Sequence, residues 1–244
     1  MAGTAVFSEL DFFAAAVPEN LRQALKTAAA VAVRDVIRLQ RGEQTLIISN
    51  PHDQASPIAM ALYDAALEAD GRPVLVFQDE KKQIDFAEPA LIAAFSAKPD
   101  VVISISSGKL GKDEKGIAKG YFRGRRGIHG ILDGGGVMRY DHVFHYQMHG
   151  KKSCRAFWSP GITIDSFCRT VPVDYAHLRS VCGAMRDILS RAEQVTVRAP
   201  GGTNIVLGVR GRAAKADDGD FSVKGTGGNL PAGEAYISPQ NGTA

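Results

Sequence analysis

A glutamate set behind two glycines, an asparagine and a proline is the group in this chain best placed to do chemistry. It closes the first part of the run Gly227-Gly228-Asn229-Leu230-Pro231-Ala232-Gly233-Glu234-Ala235-Tyr236-Ile237-Ser238-Pro239. The glycines and Asn229 permit positive φ, Pro231 fixes the backbone and donates no N–H, and Gly233 leaves room beside it, so the segment reads as a rigid turn. The residues that follow Glu234 are aromatic and β-branched and favour an extended strand. The Glu234 carboxylate therefore stands at a turn-to-strand junction, where a pre-positioned oxygen can serve as a metal ligand or a general base. The other reading is a solvated glutamate on a surface hairpin, since most carboxylates are exposed.

Two further groups carry candidate chemistry. His142, His145 and His149 share one face if the segment is helical, and neutral imidazoles there could bind zinc or iron. No Glu lies inside the cluster, Asp133 and Asp141 are the nearest carboxylates, and the H-E-x-x-H arrangement of helical zinc proteases is absent. Partner contact or an ordinary polar face is the alternative. The second group is Lys109, Lys112, Lys115, Lys119, Arg123, Arg125 and Arg126, spread among glycines. A basic glycine-rich loop could cradle phosphate, but Gly108-Lys109-Leu110-Gly111-Lys112 lacks the spacing of a P-loop, and a solvated, mobile loop is the preferred reading. Arg210 and Arg212 could hold a substrate carboxylate or be exposed strand-end arginines.

The elements that must position these groups follow from the apolar pattern. A helix spans residues 18–40, with Pro18 in its first turn and Gly42 as a stop. Continuous apolar runs at 45–48, 74–77 and 101–105 read as strands buried on both faces. Helical patterns at about 56–69 and 88–97 separate them. That alternation specifies βαβ units and a doubly wound parallel sheet, an α/β fold. Ligands on such sheets bind beyond the carboxyl ends of the strands, which points to Ser49-Asn50-Pro51-His52-Asp53 and Ser104-Ile105-Ser106-Ser107-Gly108 as resting places for a small ligand, or as plain βα loops. Phe157-Trp158 anchors the core before a tight turn at Ser159-Pro160-Gly161. Asp174 caps a helix whose stripe runs through Leu178, Val181, Cys182, Met185, Ile188, Leu189 and Ala192. Beyond it, strands at 195–198, 205–209 and 235–237 are joined by glycine-rich turns without helices. The division is thus an α/β parallel-sheet domain over residues 1–190 and the start of a β-rich domain over 191–244.

Composition narrows the class. The 244 residues, 45% hydrophobic, suit one large or two small globular domains, and a net charge of +3 gives no bulk attraction to nucleic acid or membrane. Cys154, Cys168 and Cys182 are odd in number and form no C-x-x-C pair, which fits a reducing compartment and argues against a disulfide framework and a Cys-rich zinc site. With neither a signal peptide nor a membrane-length apolar run, the expected location is the cytoplasm.

The run Gly228-Asn229-Leu230-Pro231-Ala232-Gly233-Glu234, preceded by Gly202-Thr203-Asn204-Ile205 and by Asp217-Asp218-Gly219, resembles the signature region of the aminopeptidase T (M29) family and its leucyl-aminopeptidase-like relatives. The likeness extends upstream through Phe157-Trp158-Ser159-Pro160-Gly161-Ile162-Thr163 and the helix from Asp174. The chain carries Ala232-Gly233 where the better-studied peptidases usually have Thr-Glu, and Asn204 where an Asp is more usual. The resemblance implies a metal-dependent aminopeptidase that removes N-terminal residues from peptides with metal-activated water. Glu234 would ligate one of two divalent ions (Zn, Co or Mn) about 3.5–4 Å apart, and a homodimer is possible. The family's other ligands lie downstream of the Glu segment, so the resemblance also implies that this chain is an N-terminal fragment. Ring-cleaving dihydroxypyridine dioxygenases resemble the same layout and use a single Fe(II) held by two histidines and a carboxylate. A metal-free binding module is the remaining alternative.

Overall fold

The computed structural model describes residues 17–123 and 138–240. In chain order its elements are α1 (Glu19–Val31), β1 (Gln44–Ser49), α2 (Ala55–Glu68), β2 (Arg72–Phe77), α3 (Pro89–Ala94), β3 (Val101–Ile105), α4 (Glu114–Lys119), β4 (Tyr121–Arg123), β5 (Met138–Tyr140), α5 (Val143–His145), β6 (Arg155–Trp158), α6 (Ile164–Thr170), α7 (Tyr175–Arg191), β7 (Gln194–Arg198), β8 (Asn204–Gly208), β9 (Lys215–Asp217), β10 (Gly227–Asn229) and β11 (Glu234–Tyr236). They form two compact units, Met1–Pro172 with Phe221–Leu230 and Val173–Asp220 with Pro231–Ala244. The sequence reading divides the chain at residue 190; in the structure α7 belongs to the second unit, and the segment carrying β10 returns to the first.

The first unit is built on a five-stranded sheet in the order β10-β6-β3-β1-β2, every pair parallel. Two of the three runs read as doubly buried are so: β3 is buried throughout, as is β1 after Gln44, whereas β2 has no fully buried residue. β2 is the outer strand and leaves Val74 exposed. Helices cover both faces, as a doubly wound sheet requires. On one, α1, α2 and α6 pack on one another; on the other, Leu46, Ile48, Val102 and Ala156 meet Leu91, Phe95, Phe144 and Met148. Phe157 is fully buried in β6.

Two expectations need correction. The helix expected over 18–40 is α-helical only as far as Val31, continues as a π turn over Ala32–Val36 and is finished by Arg38 at φ 47°. The cause is remote in sequence: the Arg155 guanidinium takes the Ile37 and Arg38 carbonyls at 2.8 and 3.1 Å, drawing the chain out of the helix. Gly227–Asn229, expected as turn, is a sheet strand. Glycines are poor strand formers, but here the close approach demands one, since a Cβ on Gly227 would lie 2.7 Å from the Ala156 carbonyl oxygen.

The second unit holds two small antiparallel pairs, β7-β8 and β9-β11, with α7 against β9 and β11. Asp174 caps α7 by accepting from the Ala176 and His177 N–H groups at 2.9 and 3.0 Å. Of the stripe along this helix, Cys182 is buried while Val181, Met185 and Ile188 stay exposed. All three cysteines are free.

Candidate functional site

Because the strands of the main sheet are parallel, their carboxyl ends share one edge, and a chain of hydrogen bonds runs along it. Gln78, just past β2, accepts through its carbonyl from Asn50 Nδ2 at 2.9 Å. Asn50, just past β1, accepts through Oδ1 from the Ser107 N–H at 2.9 Å and the Ser107 hydroxyl at 3.2 Å. The Ser106 carbonyl accepts from the Gly161 N–H at 2.7 Å, and the Ser159 hydroxyl donates to the Leu230 carbonyl. The loops 49–53 and 104–108, singled out as places for a ligand, are thus brought together, with Asn50 and Ser107 as the contact. Asn50 is 2% exposed and spends its amide on the protein, so its role is to fix the rim rather than to bind from it.

The rim ends at Leu230, whose N–H donates to the Trp158 carbonyl at 3.0 Å. Four residues later comes Glu234. Pro231 and Ala232 lead into Gly233 at φ 128°, a value that excludes most side chains, and the Gly233 N–H donates to the Asp217 carbonyl at 2.8 Å. Glu234 then opens β11 directly opposite Asp217 on β9, with its side chain exposed. The turn-to-strand junction expected from sequence is present. Among the described residues no three His, Cys, Asp or Glu side chains converge to hold a metal ion, so Glu234 alone does not constitute a metal site.

The histidine cluster takes a different form from a metal centre. His142 caps the short α5, its Nδ1 accepting from the Phe144 N–H at 3.1 Å, and a π turn over Tyr146–Lys151 follows. The His142 and His145 rings lie 5.7 Å apart and those of His145 and His149 6.3 Å, so they do share a face. Burial, aided by His145, holds the His142 pKa below the ordinary histidine value despite the opposing Asp113 and Asp141. With Nδ1 accepting, the neutral ring carries its proton on Nε2, which is buried beside the Gly111 backbone without a hydrogen bond of good geometry.

Beneath it lies Asp113, which the sequence reading did not single out. Burial would raise its pKa, but the carboxylate accepts from Gly116 N–H, Val143 N–H and the Tyr121 hydroxyl at 2.8, 2.9 and 3.0 Å, and the sum holds it below the usual carboxylate range. Tyr121, part-buried and beside that charge, is pushed up to about 12. An Asp before a short helical run is the cap signal that could have marked it. Of the basic loop, Arg125 and Arg126 lie outside the described residues, as does Asp133. Arg210 pairs with Glu193 in the open, which ties it up as a surface ion pair.

No helix among the described residues is long and apolar enough to cross a membrane. No family model matches the sequence, and curated protein sequences provide no match. Solved structures do. The chain aligns over 90% of its length with 2,5-dihydroxypyridine dioxygenase from Pseudomonas putida KT2440 at TM-score 0.56 and 13% identity, covering 56% of that chain. It aligns over 90% with AmpT from Thermus thermophilus at TM-score 0.50 and 13% identity, covering 62% of that chain. The chain therefore spans less than two thirds of the length of the structures it matches, and what it shares with them is an α/β fold on a parallel sheet.

Proposed function

We propose that the chain belongs to a metal-dependent aminopeptidase, in which Glu234 is one ligand of a divalent metal pair and a peptide with a free N-terminus is the substrate. The observation that supports this reading is the rigid delivery of Glu234. The turn is fixed by Pro231 and Gly233, the Gly233 N–H is held by the Asp217 carbonyl, and an exposed carboxylate opens the next strand. Pre-positioning of this kind is what metal ligation asks of a side chain, because an oxygen held in place loses little entropy on coordination. The motif around Glu234 resembles the aminopeptidase T signature, with Ala232-Gly233 and Asn204 as departures from it, and the fold is compatible with AmpT, an aminopeptidase. The remaining ligands have to come from outside the described residues.

The test is elemental analysis and aminopeptidase assay on the full-length natural protein. Two divalent ions per chain and release of N-terminal residues from an unblocked peptide are expected, both lost in Glu234→Gln. Retained activity in that variant would defeat the reading, as would the absence of any metal. A single iron would transfer the assignment to a ring-cleaving dioxygenase, a fold likeness at the same 13% identity.

A further inference from the structure

The turn that delivers Glu234 does not stand by itself. β9 and β11 pair over three residues, and a two-stranded ribbon of that length has little stability alone. Its support is α7, which packs against both strands. Ala216 and Ala235 are cross-strand partners and half-buried, whereas Glu234 and Tyr236, the positions on either side of Ala235, are exposed. The ribbon therefore turns its alanines inward and Glu234 outward.

Two glycines show how closely the start of α7 is fitted to the turns that flank the ribbon. Gly219 lies against the ring of Tyr175, since a Cβ there would be 2.5 Å from Tyr175 Cε1, and the same atom would be 3.4 Å from Ala232 Cβ. Gly233, at φ 128°, lies against Leu178, whose Cδ1 would be 3.1 Å from an added Cβ. Tyr175 and Leu178 stand three residues apart on the helix and so share a face, and Tyr175 is 4% exposed. This first turn of α7 is itself fixed, because Asp174 holds the Ala176 and His177 N–H groups. The bond from the Gly233 N–H to the Asp217 carbonyl, at 2.8 Å, then ties the turn to β9. The small residues Ala232 and Gly233, where the peptidases it resembles usually carry Thr-Glu, are what this contact requires. A side chain at 233 would be strained at that φ and would press on Leu178.

We propose that Leu178 is a positioning residue for Glu234. Its methyl group, seated against Gly233 on a helix turn held by Asp174 and Tyr175, sets where the backbone of the next residue stands and so where the Glu234 carboxylate is presented to a cation. Leu178 itself touches neither metal nor substrate. The inference rests on the aminopeptidase reading for the cation; the packing stands without it.

The test is the zinc affinity of the full-length protein, read by competition with a chromophoric chelator, beside the melting temperature. Leu178→Ala should weaken zinc binding roughly 10–100-fold, the range for groups that orient a metal ligand. Leu178→Met, which keeps the volume, should restore most of the loss. Leu189→Ala, the same cut about three turns farther along α7, should leave the affinity as it was, whatever it does to the melting temperature. Where Leu178→Ala does not fold, the milder Leu178→Val carries the test, with a severalfold loss expected. Unchanged affinity in the Leu178 variant while Glu234→Gln loses its zinc overturns the positioning role and leaves the aminopeptidase reading standing. Zinc retained in Glu234→Gln removes both. An equal loss in Leu189→Ala, or a loss that Leu178→Met does not restore, marks general destabilisation and would also overturn the proposal.

Discussion

Replacing Arg155 by methionine should cost about 3–5 kcal/mol, the range for breaking one side of a buried ion pair. The guanidinium is held by four bonds: Nε to the Ile37 carbonyl at 2.8 Å, Nη2 to the Arg38 carbonyl at 3.1 Å, and a fork onto Glu43 at 2.8 and 2.6 Å. The ion-pair side chains are 3% and 17% exposed, so solvent screening is slight. Methionine fills much of the volume but leaves two carbonyls and a carboxylate without their donors. Adding Glu43→Gln to that variant should restore about 1–2 kcal/mol by removing the stranded charge. Burial pushes the Glu43 pKa up, but the bonds from Arg155 and the Gln40 N–H, with the charge of Arg155, outweigh it and hold the carboxyl below its ordinary value. A depressed folded pKa contributes stability that is present above the unfolded value and lost as pH falls through the folded one, so the variant should lose that acid-limb dependence. Urea unfolding followed by the fluorescence of Trp158, the single tryptophan and a member of the same strand, reads all of this. A loss below about 1 kcal/mol, within the range of exposed pairs, would refute the clamp.

Three further outcomes are expected. Gly111→Ala combines a left-handed φ with a clash against Ala87 backbone, and should lower stability by at least about 2 kcal/mol by thermal unfolding, where an exposed substitution stays within about 0.5. Asn50→Leu strands the Gln78 carbonyl and the Ser107 N–H inside the rim and should cost about 2–4 kcal/mol in denaturant. Tyr121 should titrate at about 12 by ultraviolet absorbance. Its raised folded pKa stabilises the protein fully below the unfolded value of 10.0 and ceases to do so as pH rises through about 12. Asp113→Asn should bring the phenol back towards its ordinary range.

What could be read from the chain divides by the distance over which the physics acts. The strands β1 and β3 are legible because a strand buried on both faces needs an unbroken apolar run, and both the α/β class and the Asp174 cap follow from equally local signals. The early end of the first helix is not legible: it is imposed by Arg155, 118 residues from its partner Ile37. Nor is β10, whose glycines argue against a strand on propensity and are needed only because Ala156 and Met148 sit so close. The same rule separates the two candidate sites. Glu234 was visible because its placement depends on neighbours in sequence, Pro231 and Gly233 setting the turn and Tyr236 the strand. The segment around Lys109 was half legible: the lysines and glycines stand out, but the order of the loop depends on residues 81–87 lying against 108–112. A basic glycine-rich loop by itself is compatible with a solvated excursion. What orders the loop here is another segment lying against it, and that condition is not written within the loop.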